Sequence, residues 1–241
     1  MKKILKITAI NILLINVFIQ FSNAQMIFGI NTGMNLSYIT GRDSLYFNVD
    51  NKYKNLKPGV NVKMLFDINF GYLRFVEIGA IYSQEGVNFN VTTFEPTDTG
   101  TGTVKIIKTQ KNNLQYLKIP LSWKQIWGDW YTVIGVYGSI ALLPQAKYKS
   151  KVYSLDTIYI QNKGHFNLDI FKYDMGMRLG FGLQLPLNNY YDFTIGLEYN
   201  HGFLPLYPKY NKQAMYNRTF NISLGIFFNN KGYKYKYKSR R

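Results

Sequence analysis

Fifteen consecutive residues, Phe171 to Leu185, alternate without a break. Phe171, Tyr173, Met175, Met177, Leu179, Phe181, Leu183 and Leu185 are apolar or aromatic. Lys172, Asp174, Gly176, Arg178, Gly180, Gly182 and Gln184 stand between them. A side-chain period of two belongs to a β-strand, so this stretch has one apolar and one polar face. In a soluble sandwich the apolar face packs inward. In an outer-membrane barrel it faces lipid, and the polar, Gly-containing face turns to the lumen.

Seven more segments share the pattern. Phe28, Ile30, Thr32, Met34 and Leu36 lie on one face of the first, and Val60, Val62, Met64, Phe66 and Ile68 on one face of the second. Val76, Ile78, Ala80 and Tyr82 mark the third, Leu117, Ile119, Leu121 and Trp123 the fourth, and Ile134, Val136, Ile140 and Leu142 the fifth. Phe171–Leu185 is the sixth. Tyr191–Asn200 and Phe220–Phe228 complete the set, with Phe227 interrupting the polar series of the last. Each is close to or above the roughly 10 residues a tilted strand needs to cross a bilayer. The expected fold is therefore all-β, an eight-stranded antiparallel up-and-down transmembrane barrel.

The connections sort by length. Asn69–Leu73, Ile126–Asp129 and Leu187–Asn189 are short; Gly41–Lys57, Val87–Gly102, Gln145–Asn167 and Leu204–Asn217 are long. Short periplasmic turns and long extracellular loops are what an outer-membrane barrel presents. Aromatic residues gather at the expected boundaries, as amphipathic rings do at membrane interfaces. Trp123, Trp127, Trp130, Tyr131, Tyr190 and Tyr191 fall at the periplasmic rim; Tyr38, Tyr82, Phe171, Tyr173, Tyr199 and Phe203 fall toward the outer one.

The N-terminus reads as an export signal. Lys2, Lys3 and Lys6 precede a mostly apolar run, Ile7 to Phe21, and Ser22-Asn23-Ala24 supplies the small residues of a cleavage site. The alternative, a membrane anchor, asks for a longer apolar run than this Asn-interrupted one. The expected organisation is a signal peptide over 1–24, a barrel over 25–228 and a basic tail over 229–241. The chain has no cysteine, which excludes disulfides and a lipid-modified Cys. Charged residues make up 17% of it, against about 25% in soluble domains. The net charge is +16, or +13 without the three signal lysines. Export argues against nucleic acid as the partner of so basic a chain. Outer-membrane lipid and lipopolysaccharide are the expected counter-charge, together with a periplasmic or outer-membrane protein partner.

Eight strands enclose room only for side chains. The inward set includes Lys63, Asp67, Glu77, Lys118, Asp174, Arg178 and Glu198, with both signs present. Pairing across the lumen makes this a structural interior charge network, with Lys118 and Arg178 neutralising Glu77, Asp174 and Glu198; a proton or ion path is the alternative. No catalytic, cofactor-binding or metal site is assigned.

Several stretches resemble the PorT-like outer-membrane β-barrel family of Bacteroidetes. They are Phe28–Ser37 (FGINTGMNLS), Lys57–Val60 (KPGV), Glu77–Gly86 (EIGAIYSQEG), Leu114–Leu121 (LQYLKIPL) and Lys172–Gly182 (KYDMGMRLGFG). The likeness spans nearly the whole exported chain, and the Ala24-Gln25 junction is similar too. Such barrels usually end at the last strand, so the tail with Lys231, Lys234, Lys236, Lys238, Arg240 and Arg241 departs from the pattern. It reads as a solvated basic extension or a periplasmic contact. The resemblance implies an accessory role in type IX protein secretion.

Function is read as non-enzymatic, structural or interacting. The alternatives are a lipid-modifying acylase or deacylase, or a small-ligand-binding barrel. An acylase would need a base, and the chain has only His165, in a long connection, and His201, at the outer end of strand seven. A pore is excluded by the narrow lumen.

Overall fold

The computed structural model describes residues 26–40, 54–71, 73–96, 103–142, 145–154, 157–167, 172–206 and 216–229. These form eleven strands and no helix: β1 (Met26–Thr40), β2 (Lys54–Asn55), β3 (Lys57–Gly71), β4 (Arg74–Pro96), β5 (Thr103–Trp127), β6 (Trp130–Ala141), β7 (Gln145–Ser154), β8 (Thr157–Asn167), β9 (Tyr173–Pro186), β10 (Tyr191–Gly202) and β11 (Tyr216–Asn229). The signal read in residues 1–24, residues 230–241 of the tail and Phe171 lie outside the described residues. The last strand runs one residue past the boundary expected at Phe228.

Eight strands close on themselves. The ladder runs β1–β3–β4–β5–β6–β9–β10–β11 and returns to β1, every pairing antiparallel. Closure leaves no edge strand in the wall, so every backbone group there can pair within the sheet. The β4–β5 ladder skips Gly79 and Ala80 opposite Ile119 and Pro120. Pro120 has no amide hydrogen to give to it.

Alternation sets the two faces. Arg178 is 1% exposed, while Leu179, one residue on, is 37% exposed. Ile30, Met34, Val62, Met64, Ile119, Leu121, Ile134 and Ile222 likewise point outward, and Asn31, Asn35, Asn61, Lys63, Lys118, Ser122 and Asn221 are buried. A soluble core would reverse this arrangement.

Three inward positions hold bulky apolar residues within otherwise polar or small series: Leu65, Ile81 and Phe227. All are buried, and they cluster with Ile27, Phe75, Ile126, Tyr131 and Val133, most of which sit at strand ends beside the short turns. The lumen is thus plugged by hydrocarbon at its periplasmic end. Tyr131, expected in the periplasmic girdle, belongs to this plug instead. Its phase places it inside, next to outward Trp130. Glycines make room for the rings. A Cβ on Gly182 would come within 2.7 Å of the Tyr131 ring, and one on Gly29 within 2.5 Å of the Phe227 ring.

The short turns appear at one end, between β3 and β4, β5 and β6 (Gly128-Asp129), and β9 and β10. Both ends of the barrel ladder lie there as well, which makes it the periplasmic end. At the opposite end, two of the four long connections are not loops. β4 continues from the barrel to Pro96, and β5 begins at Thr103. Gln145–Ser154 and Thr157–Asn167 pair as the β7–β8 hairpin, whose β7 pairs with the outer half of β5. At about 3.3 Å per residue, the 25 residues of β5 span about 80 Å, far more than a bilayer requires. Gly86 stands just before the connection expected at Val87–Gly102. It adopts φ +133°, a conformation open chiefly to glycine, and the strand continues through it in unbroken register with β5. His165 accordingly lies in β8, not in a loop.

Candidate functional site

The lumen contains ten buried ionisable carboxylates and cations: Asp67, Glu77, Glu85, Asp174, Asp192 and Glu198 against Lys63, Lys118, Lys124 and Arg178. Among the described residues six acids but only four bases are therefore inside.

The centre of the network is Arg178 on β9. Its Nε and Nη2 donate to the two oxygens of Glu198 at 3.1 and 2.8 Å, a bidentate pairing from the adjacent strand. Its Nη1 reaches Glu77 of β4 and donates to Ser122 Oγ at 3.2 Å. Lys63 of β3 donates to Glu198 at 2.6 Å and to Ser223 Oγ at 3.2 Å. The Arg178 guanidinium thereby joins the adjacent strands β9 and β10 to the adjacent strands β4 and β5, across the lumen. Nearer the periplasm, Lys124 donates to Asp67 at 2.6 Å and lies 4.1 Å from the centre of the Phe227 ring. It thereby joins the charged layer to the apolar plug.

A second layer lies toward the outer end. Lys118 pairs with Glu85 and sits 4.7 Å above the Tyr137 ring. Glu85 also accepts from Ser83 Oγ at 2.7 Å and from the Asn217 amide. Lys57 donates to the Glu85 carbonyl and to Asn113 Oδ1, each at 2.7 Å. Asp174 accepts from Tyr137 Oη at 3.3 Å.

All seven inward residues named from the sequence are buried, but the pairing differs in detail from that expected. Arg178 pairs with Glu77 and Glu198 as expected, whereas Lys118 makes its ion pair with Glu85 and acts on Asp174 only as a nearby charge. Asp67 finds Lys124. Glu85 and Lys124 were not named in the inward set, although each was in phase with it: Lys124 follows Lys118, Pro120 and Ser122, and Glu85 follows Glu77 and Ser83. Asp192, paired with the amide of Gln184 at 2.8 Å, was likewise passed over.

Outside the barrel, His201 stands near the outer rim. Its Nδ1 is 3.1 Å from Tyr199 Oη, and its cross-strand partner is Arg218. A phenol and a guanidinium flank it, which is not the serine-and-acid setting of an acyl-transfer triad. Around it the rings of Tyr38, Phe220, Tyr199 and Phe203 form a chain of aromatic contacts. Among the described residues no cluster of three or more His, Asp or Glu could hold a metal ion.

A closed eight-stranded wall, apolar outside and filled with paired charges inside, defines an outer-membrane β-barrel protein. The chain belongs to the outer membrane protein beta-barrel domain family, whose model matches residues 18–208. No functionally curated protein matches it. Among solved structures it is similar to Neisserial surface protein A, at 9% identity and a TM-score of 0.42, covering 84% of this chain and 96% of that one. It is also similar to Ail, the attachment invasion locus protein of Yersinia pestis, at 14% identity and a TM-score of 0.33, covering 85% and 99%. The outer membrane protease OmpT of Escherichia coli is similar at 10% identity and a TM-score of 0.34, covering 85% and 96%.

Proposed function

We propose that this outer-membrane barrel is non-enzymatic and works by contact, with its outer sheet extension as the contacting surface. The filled lumen carries the reading. The apolar plug and the two layers of ion pairs occupy the space a solute or a substrate would need. Ordered structure beyond the barrel lies instead in β4, β5, β7 and β8, which run on past the outer rim as paired strands. Paired strands hold a fixed surface at little entropic cost on binding, unlike a loop that must be ordered first. The resemblance to PorT-like barrels supports a narrower form: an accessory factor of type IX protein secretion, with an outer-membrane protein as the partner of this surface.

The test is removal of residues 145–167 followed by mild crosslinking in native outer membranes. The shortened barrel should still fractionate with the outer membrane and still shift in gel mobility on boiling, while a crosslinked partner present with the full chain is lost. Retention of that partner would end the contact reading for this surface. Unchanged release of type IX cargo from cells lacking the whole protein would end the secretion reading.

A further inference from the structure

On the lipid side of β6, β9, β10 and β11 the wall is recessed into an apolar groove of about 550 Å³. Ile134, Leu179, Phe181, Leu197, Phe220 and Ile222 supply its outward side chains. The ladders give its course. Ile134 lies opposite Leu179, Phe181 opposite Leu197, and Leu197 opposite Ile222. The groove therefore crosses four strands, about 14 Å of wall.

Its outer end is bounded by Tyr199, whose ring lies 4.8 Å from that of Phe220. Two residues further out on the same face, about 7 Å along the strands, stand His201 and Arg218, directly opposite each other. Arg218 is held in place. Its Nη1 donates to the carbonyls of Gly202 and Asn217 at 2.7 and 2.9 Å, and its guanidinium lies 5.5 Å from the Tyr216 ring. Nε and Nη2 carry three further N–H donors suited to a phosphate. The cation thus sits at headgroup level, above a recess at acyl-chain level.

We infer that this face binds one phosphorylated glycolipid of the outer leaflet, of the lipid A class, with an acyl chain in the groove and a phosphate on Arg218 and His201. Bulk hydrocarbon alone would wet a flat apolar wall equally well. The recess and the anchored guanidinium together select an amphiphile that has both a chain and an anionic head. This inference does not depend on what the outer sheet contacts.

The experiment is native mass spectrometry of the barrel reconstituted with bis-phosphorylated lipid A, with its dephosphorylated form, and with phosphatidylglycerol. The wild-type barrel should retain one bis-phosphorylated lipid A and lose the other two. Arg218→Gln should lower retention at least tenfold, Arg218→Lys should lower it less, and Leu197→Trp should abolish it by filling the groove with Arg218 intact. Met64→Trp, on the opposite wall, should change nothing. Equal retention of the dephosphorylated lipid or of phosphatidylglycerol overturns the proposal, as does wild-type retention by Leu197→Trp. Folding of each variant is read from the gel shift on boiling. If Arg218→Gln does not fold, the groove variant and the dephosphorylated lipid still decide.

Discussion

The two faces of the barrel wall are built from the same strands and meet opposite solvents. On β9, Arg178 is tied to Glu77, Glu198 and Ser122, whereas Leu179 has only hydrocarbon and its outward neighbours to meet. Inside, each side chain is chosen to fit partners that reach it from several strands. Outside, almost any apolar side chain serves, because lipid tails are as apolar as leucine and re-form around whatever is there. Inner substitutions should therefore act through lost partners and outer ones through solvation.

The largest effect should come from breaking the hub. Arg178→Leu leaves Glu77 and Glu198 buried without their shared cation, which should cost about 3–5 kcal/mol. Urea unfolding of the barrel reconstituted in lipid measures it. An unchanged midpoint would mean that water reaches those carboxylates and that they stand independently.

Phe227→Ala, within the plug, should cost about the same, 3–5 kcal/mol, because a cavity is left over Gly29. The matching truncation outside, Leu179→Ala, should cost about 1 kcal/mol or less, since acyl chains refill the space. The comparison fails if the two truncations cost the same in one urea series.

Leu179→Arg should cost about 2–4 kcal/mol, because it draws a charge into hydrocarbon near mid-membrane. Spin labels check the face assignment directly. Labels at 179 and 181 should be relaxed by oxygen dissolved in lipid, and a label at 178 should not. The reverse pattern would turn the wall inside out.

The smallest effect should come from the outer hairpin. Among the described residues β7 pairs with β5 and with β8, β8 pairs with β7 alone, and neither pairs with another strand of the wall. Excising residues 145–167 should leave the urea midpoint of the barrel unchanged, and a clear downward shift would show that the hairpin braces the wall.

The sequence alone determined the wall. Period-two alternation fixes which side chain faces which way, and it does so locally, so Lys63, Asp67, Glu77, Lys118, Asp174, Arg178 and Glu198 could all be placed inside from their phase. The strand count and the end bearing the short turns followed from the same spacing. Three things required the closed barrel. Phe227 reads as a break in its polar series and Tyr131 as a girdle residue, and only the converging strands show them in one plug with Leu65 and Ile81. The ion pairs are legible only in part: Arg178 meets Glu77 and Glu198 as expected, but Lys118 with Glu85 is set by the register of the β4–β5 ladder, and phase says nothing about register. The outer strands were hidden for a related reason. Beyond Gly86 and in 145–167 the chain no longer alternates against lipid, so a strand there leaves no hydrophobic period, and only pairing with a neighbouring strand reveals it.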